Sequence, residues 1–124
     1  MSNTAIISVV DDDESVRKAL DGLLRSSGYT VHTYASALEF LSGGGPEQTD
    51  CLLSDIRMPG MSGIELCNEL AARNIRIPVI IISGHPGPPP RVKPGVAEPV
   101  ALFPKPFGCV ELIACIESVL KHTV

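Results

Sequence analysis

Two aspartates, Asp11 and Asp12, follow directly on the apolar run Ala5-Ile6-Ile7-Ser8-Val9-Val10, and a third, Asp55, follows Cys51-Leu52-Leu53-Ser54. Ser83 stands after Val79-Ile80-Ile81-Ile82, and Lys105 stands just beyond residues 100–103. Such runs read as strands buried on both faces, typical of a parallel sheet. In an open parallel sheet, sites form at the carboxyl ends of the strands. Three carboxylates, one hydroxyl and one ammonium would therefore meet on one edge. Clustered carboxylates repel one another unless a cation joins them. A hard divalent ion fits, and Mg²⁺ suits a site with few carboxylates that keeps waters and shares a phosphate. One carboxylate would then act as nucleophile toward phosphorus. Lys105 and Ser83 would contact the phosphoryl oxygens after transfer. The chemistry implied is phosphoryl transfer by positioning and charge neutralisation.

Each residue alone has a plainer reading. The acidic stretch 11–14 could simply open a helix and complement its dipole. Asp55 could be a turn residue, and Ser83 or Lys105 singly carries little information. The joint placement of all of them at strand ends is what points to a site.

The elements that must position these groups alternate. After the first strand, Val16, Ala19, Leu20, Leu23 and Leu24 recur at helical spacing, opened by Asp13 and Glu14 and closed by Gly28. Residues 30–34 read as a second strand. Ser36 and Glu39 form a capping box ahead of a short helix through Leu41, and Gly43-Gly44-Gly45-Pro46 reads as a loop. Residues 51–54 are the third strand. Ser62 and Glu65 make a second capping box before a helix whose apolar face is Ile64, Cys67, Leu70 and Ala71. Pro78 precedes the fourth strand, 79–82, and residues 100–103 form the fifth. A final helix spans Cys109 to Lys121. Strands alternating with helices imply an α/β fold with right-handed crossovers and helices on both faces of a parallel sheet. One segment breaks the rhythm: residues 84–99 hold six of the eleven prolines. Each interior proline costs a helix about 3 kcal/mol, so little or no regular helix is expected there, beyond a turn near Arg91–Val92.

At 124 residues the chain is one domain by size, expected to span 1–124. Its 44% apolar and 19% charged residues suit a globular protein, and 4% aromatics with no Trp require an aliphatic core. Apolar runs reach only about five residues against the ~20 of a membrane span, so no membrane association is expected. No signal peptide is apparent at Met1-Ser2-Asn3-Thr4. The net charge of −4 argues against direct nucleic-acid binding. Cys51, Cys67, Cys109 and Cys115 form no C-x-x-C pair, and His32, His85 and His122 are scattered. The cysteines read as small buried hydrophobes in a reducing cytoplasm, not as zinc ligands.

The sequence resembles the receiver domain of bacterial two-component response regulators over nearly its whole length. The motifs are Val9-Val10-Asp11-Asp12-Asp13-Glu14-Ser15-Val16-Arg17, Ser54-Asp55-Ile56-Arg57-Met58-Pro59-Gly60-Met61-Ser62-Gly63, Ile82-Ser83-Gly84-His85 and Lys105-Pro106-Phe107. The D-x-x-M-P-x-M-x-G pattern in this order is highly specific. The details look most like the branch with a LuxR-type helix-turn-helix output. The resemblance implies a flavodoxin-like three-layer sandwich with strand order 2-1-3-4-5. The fourth helix of that fold would be replaced or broken by the segment 84–99. It implies Asp55 as phosphoacceptor, and Asp11, Asp12, Asp55 and the Arg57 backbone carbonyl around Mg²⁺. Ser83 would be the switch hydroxyl, Lys105 the phosphoryl contact, and the Lys105–Pro106 bond cis. It also implies a sensor histidine kinase as partner, a DNA-binding output domain outside this chain, and a homodimer on phosphorylation. The chain would be a regulatory phosphoacceptor and not a turnover enzyme.

Two features depart from the family pattern. The position three before the lysine, usually aromatic, is Leu102 with Phe103 beside it, and the proline-rich stretch replaces a signalling helix. That stretch could tighten on phosphorylation, or be a divergent loop. The alternative function is a folded, rarely phosphorylated receiver that serves as a protein docking module. A haloacid-dehalogenase-like hydrolase would need a D-x-D pair, and Asp55 is followed by Ile56 and Arg57. A flavin-binding flavodoxin would need a phosphate-cradling loop after strand one, where this chain is acidic.

Overall fold

The computed structural model describes residues 5–56, 60–75, 77–83, 101–104 and 108–121. In chain order the elements are β1 (Ile6–Val10), α1 (Glu14–Ser26), β2 (Thr30–Tyr34), α2 (Ala37–Ser42), α3 (Gly45–Gln48), β3 (Cys51–Asp55), α4 (Gly63–Ala72), β4 (Val79–Ser83), β5 (Ala101–Pro104) and α5 (Cys109–Lys121). The five strands form one sheet in the order β2-β1-β3-β4-β5, and every neighbouring pair is parallel. This is the expected flavodoxin-like α/β arrangement.

The central strands are mostly apolar because both of their faces are covered, with Ser8 and Ser54 as buried exceptions, and alternate side chains serve opposite layers. Ile7, Val9, Leu53, Ile80 and Ile82 pack with Leu20 and Leu24 of α1 and Leu112 and Ile116 of α5. Val10, Leu52 and Ile81 pack with Phe40 of α2 and Leu66 and Leu70 of α4. Burying one such aliphatic side chain contributes about 1.5–3 kcal/mol, and most of these are wholly buried. An aliphatic core thus carries the fold. Its main aromatic feature is an edge-to-face contact between Tyr34 and Phe40, with ring centroids 5.3 Å apart.

The helix ends follow their local chemistry. Asp13 is the N-cap of α1, and Gly28, one residue past the Ser27 C-cap, takes φ +96°. Ser62 and Glu65 form the full reciprocal box at α4. At α2 the Ser36 Oγ accepts the Glu39 N–H at 3.1 Å, but the Glu39 carboxylate accepts the Ala35 N–H at 2.7 Å, one residue before the cap.

Gly43-Gly44-Gly45-Pro46 is only partly the loop expected. Gly44 turns through φ +75° and Gly45–Gln48 form the short helix α3. Pro46 lies in the first turn, where a missing N–H costs nothing, and Thr49 Oγ1 donates to the Gly45 carbonyl at 2.6 Å. The fifth strand lies one residue later than expected, at Ala101–Pro104. The segment 84–99, with its expected loss of helix, lies outside the described residues. Cys51 and Cys67 are buried free thiols, as read from sequence, and Cys115 is half-buried. Among the described residues, no helix is long and apolar enough to cross a membrane.

Candidate functional site

The β1–β3 pairing places two carboxylates side by side. Val10 lies opposite Ser54, so Asp11, the residue just past β1, and Asp55, the last residue of β3, stand side by side at the strand ends. The backbone still holds them at this point. Asp11 N–H donates to the Tyr34 carbonyl at 3.1 Å, and Ile56 N–H donates to the Ile82 carbonyl at 3.1 Å. Asp11, Asp12 and Asp55 each bring a carboxylate oxygen into a group whose members all lie within 4.8 Å of one another. Asp11 is buried, Asp55 half-buried and Asp12 exposed, so the cluster opens to solvent on one side.

The β1–α1 loop is held by its own side chains. Asp13 N–H donates to Asp11 Oδ1 at 2.8 Å. Asp13 Oδ1 accepts from the Ser15 N–H at 2.9 Å and the Val16 N–H at 3.4 Å, which caps α1. Arg17, one turn into the helix, donates from Nη1 to the Asp11 carbonyl at 2.7 Å.

The loop after β3 is held by close backbone approach. Gly63 N–H donates to the Ile56 carbonyl at 3.0 Å. A Cβ on Gly63 would run into the Asp55 carbonyl oxygen, with Ile81 Cδ1 at 3.0 Å and Ser54 Oγ at 3.2 Å. Only glycine lets α4 begin this close beneath Asp55. Gly60, at φ +83°, supplies the turn between them.

Three carboxylates this close favour a positive counter-charge. The donors are all hard carboxylate oxygens, the ligand class that Mg²⁺ takes. Opposed ligands of an octahedral Mg²⁺ lie about 4.2 Å apart, twice a bond of ~2.1 Å. The 4.8 Å limit on the spread of these oxygens therefore allows closure by small side-chain rotations. The residues present fit such an ion.

Of the residues proposed from sequence, Asp11, Asp12 and Asp55 come together. Ser83 ends β4 opposite Pro104, on the strand beside β3. That puts its backbone at the same sheet edge, while its hydroxyl lies outside the described residues. Arg57, Lys105 and the Lys105–Pro106 bond also lie outside them, as do the side chains of Leu102 and Phe103. One contributor, Arg17, was given no role from sequence, and Gly63 was read only as the closing glycine of the D-x-x-M-P-x-M-x-G pattern. The signal for Arg17 was a cation three and seven residues before Leu20 and Leu24, at the border of the apolar stripe of α1. That closing position, straight after the capping Ser62, was the signal for a backbone role at Gly63.

A five-stranded parallel α/β sheet with an acidic cluster at the carboxyl ends of β1 and β3 is the arrangement of a receiver-type fold. The family model for the response regulator receiver domain matches residues 7–117, and the chain belongs to that family. Among curated relatives, nodulation protein W of Bradyrhizobium diazoefficiens is 42% identical over 121 residues, covering 98% of this chain and 53% of the relative. Among solved structures, the response regulator StyR superposes with a TM-score of 0.87 at 44% identity, covering 96% of this chain and 60% of that one. FixJ-N superposes with a TM-score of 0.86 at 38% identity, covering 100% of this chain and 98% of that one. The chain spans about half the length of the curated relatives it matches.

Proposed function

We propose that this receiver accepts a phosphoryl group on Asp55 from a sensor histidine kinase, in a Mg²⁺-dependent reaction, and so controls an output domain or partner. The observation that carries this reading is the convergence of the Asp11, Asp12 and Asp55 oxygens at one sheet edge. Asp11, Asp12, Asp55 and the Arg57 backbone carbonyl would hold the ion. When bound, Mg²⁺ neutralises charge between the carboxylates and an incoming phosphoryl group.

The chain's own residues do the rest. An Asp55 carboxylate oxygen attacks phosphorus, an O–P bond forms, and the N–P bond of the donor phosphohistidine breaks with return of its electron pair to the imidazole. The product is an aspartyl phosphate, and water later attacks its phosphorus, restoring the carboxylate and releasing inorganic phosphate. β3 and Gly63 fix the backbone of Asp55, which keeps the nucleophile oriented. Lys105 pairs with the phosphoryl oxygens and Ser83 moves toward them, which couples the modification to a change of shape. The output is transcription control through a DNA-binding domain, with homodimerisation on phosphorylation as the step that reports the signal.

The test is intact mass after incubation with acetyl phosphate and Mg²⁺. One phosphoryl adduct is expected, absent with EDTA and absent in Asp55→Asn. A folded chain that takes no adduct from acetyl phosphate or from a phosphorylated kinase would instead be a docking module.

A further inference from the structure

β2 stands at the edge of the sheet, and among the described residues β1 is its only neighbouring strand. The register decides which of its backbone groups face outward. Thr30 N–H donates to the Ala5 carbonyl, and Asp11 N–H donates to the Tyr34 carbonyl. Residues of a strand bond a parallel neighbour alternately, so Thr30, His32 and Tyr34 face β1, and Val31 and Thr33 face away. An open edge of this kind is a template for a further strand. The outward Val31 carbonyl is occupied. Arg25, in the last turn of α1, donates to it from Nη2 at 3.0 Å. Asp21, one turn earlier, accepts from Nε of the same guanidinium. Two residues further along, the edge is accessible. Thr33 is exposed and lines a groove of about 190 Å³ with Glu14, Arg17, Lys18 and Asp21 of α1.

The strand that these outward groups fit is β2 of a second copy. When two copies lie antiparallel about a two-fold axis at His32, Val31 of each faces Thr33 of the other. Both pairs are then of the hydrogen-bonded kind, in which each residue gives its N–H and accepts one at its carbonyl. Half of the bonds in such a pair end on the two Val31 carbonyls. We propose that Arg25 guards this edge: by occupying the Val31 carbonyl it keeps two copies of the chain from joining through β2. The symmetry doubles its effect, because the same contact is lost on both sides of the axis. The strand itself offers little other protection. Thr30, Val31, Thr33 and Tyr34 all favour strands, and β2 contains no Lys, Pro or acidic residue of the kind that blunts an edge.

The test is light scattering behind size-exclusion chromatography on the unphosphorylated chain over a range of concentrations, alongside thermal melting. The unchanged chain is expected at the monomer mass. Arg25→Met keeps an aliphatic stem and removes the donor, and its mass is expected to move toward twice the monomer value as concentration rises. Adding Thr33→Pro is expected to return it to the monomer, since proline removes the outward N–H and leaves the ladder to β1 whole. Arg25→Met that stays monomeric at every concentration would overturn the proposal. A fall in its melting temperature without association would mean that Arg25 only ties α1 to β2. Dimerisation that Thr33→Pro leaves unchanged would overturn the proposal too, as would a dimer of the unchanged chain that Thr33→Pro abolishes. If Arg25→Met does not fold, Arg25→Gln carries the same expectations, because its shorter side chain also gives up the carbonyl.

Discussion

The two loops that carry the acidic cluster are built on opposite principles. The β1–α1 loop is short, and side chains hold it: Asp13 caps the helix, the Asp11 carboxylate takes the Asp13 N–H, and Arg17 takes the Asp11 carbonyl. The loop from Asp55 to α4 is longer, and backbone proximity holds its far end, with Gly63 seated against the Asp55 carbonyl. In the first, polar groups do the anchoring, and acidic side chains are used for structure as well as for the site. In the second, the absence of a side chain does it, so the Asp55 carboxylate is placed by its strand and by contact below. A cluster of three carboxylates is held open by distributing its supports between two loops that fail for different reasons.

The comparison predicts graded damage. The largest effect belongs to the acceptor: Asp55→Asn abolishes the phosphoryl adduct, read by intact mass, with little change in melting temperature. Next is Asp12→Asn, which removes one charged ligand and is expected to weaken Mg²⁺ binding about tenfold or more, read by calorimetry. Gly63→Ala breaks the second loop. In an ordinary helix this change stabilises, but here the added Cβ meets the Asp55 carbonyl, and a loss of about 2 kcal/mol is expected by denaturant titration. A gain in stability would show that α4 can shift away from Asp55 at no cost. Asp13→Ala breaks the first loop more gently, at about 1 kcal/mol for the lost cap. Ser62→Ala is expected to cost a similar amount, but to leave Mg²⁺ affinity unchanged, because its cap supports α4 alone.

A separate effect concerns pH and lies away from both loops. Burial pushes the Cys51 thiol up to about 12 and the Cys67 thiol up to about 11, from 9.0. These thiols stay neutral in the folded chain while unfolded thiols ionise, so the unfolded state loses protons first as pH rises. Stability linked to these groups is intact below pH 9 and falls as pH climbs from 9 toward 11–12. Melting temperatures across that window check the direction.

Much of this was legible in the residues. The β-branched runs gave the strands, since a strand buried on both faces needs no alternation. Asp13 and the Ser62–Glu65 box gave two helix starts, because capping is local chemistry. Asp11, Asp12 and Asp55 could be read as a cluster, because a parallel sheet brings strand ends to one edge. Gly45–Gln48 was not legible as a helix: three glycines in a row outweigh Pro46, and the turn depends on Thr49 closing it and on Phe40 packing beneath. Arg17 escaped notice, and Gly63 was seen only as a motif position, for a related reason. Their contributions are contacts with backbone carbonyls of distant or departing segments, and no spacing rule within one element reports those.

The most direct test of the central claim is the chemical location of the phosphoryl group. The phosphorylated chain is reduced with borohydride, which converts an aspartyl phosphate to homoserine, and its peptides are mapped by mass. The account predicts conversion at Asp55 alone, and none when Mg²⁺ is withheld. Conversion at Asp11, Asp12 or any other residue, with Asp55 unchanged, would contradict it.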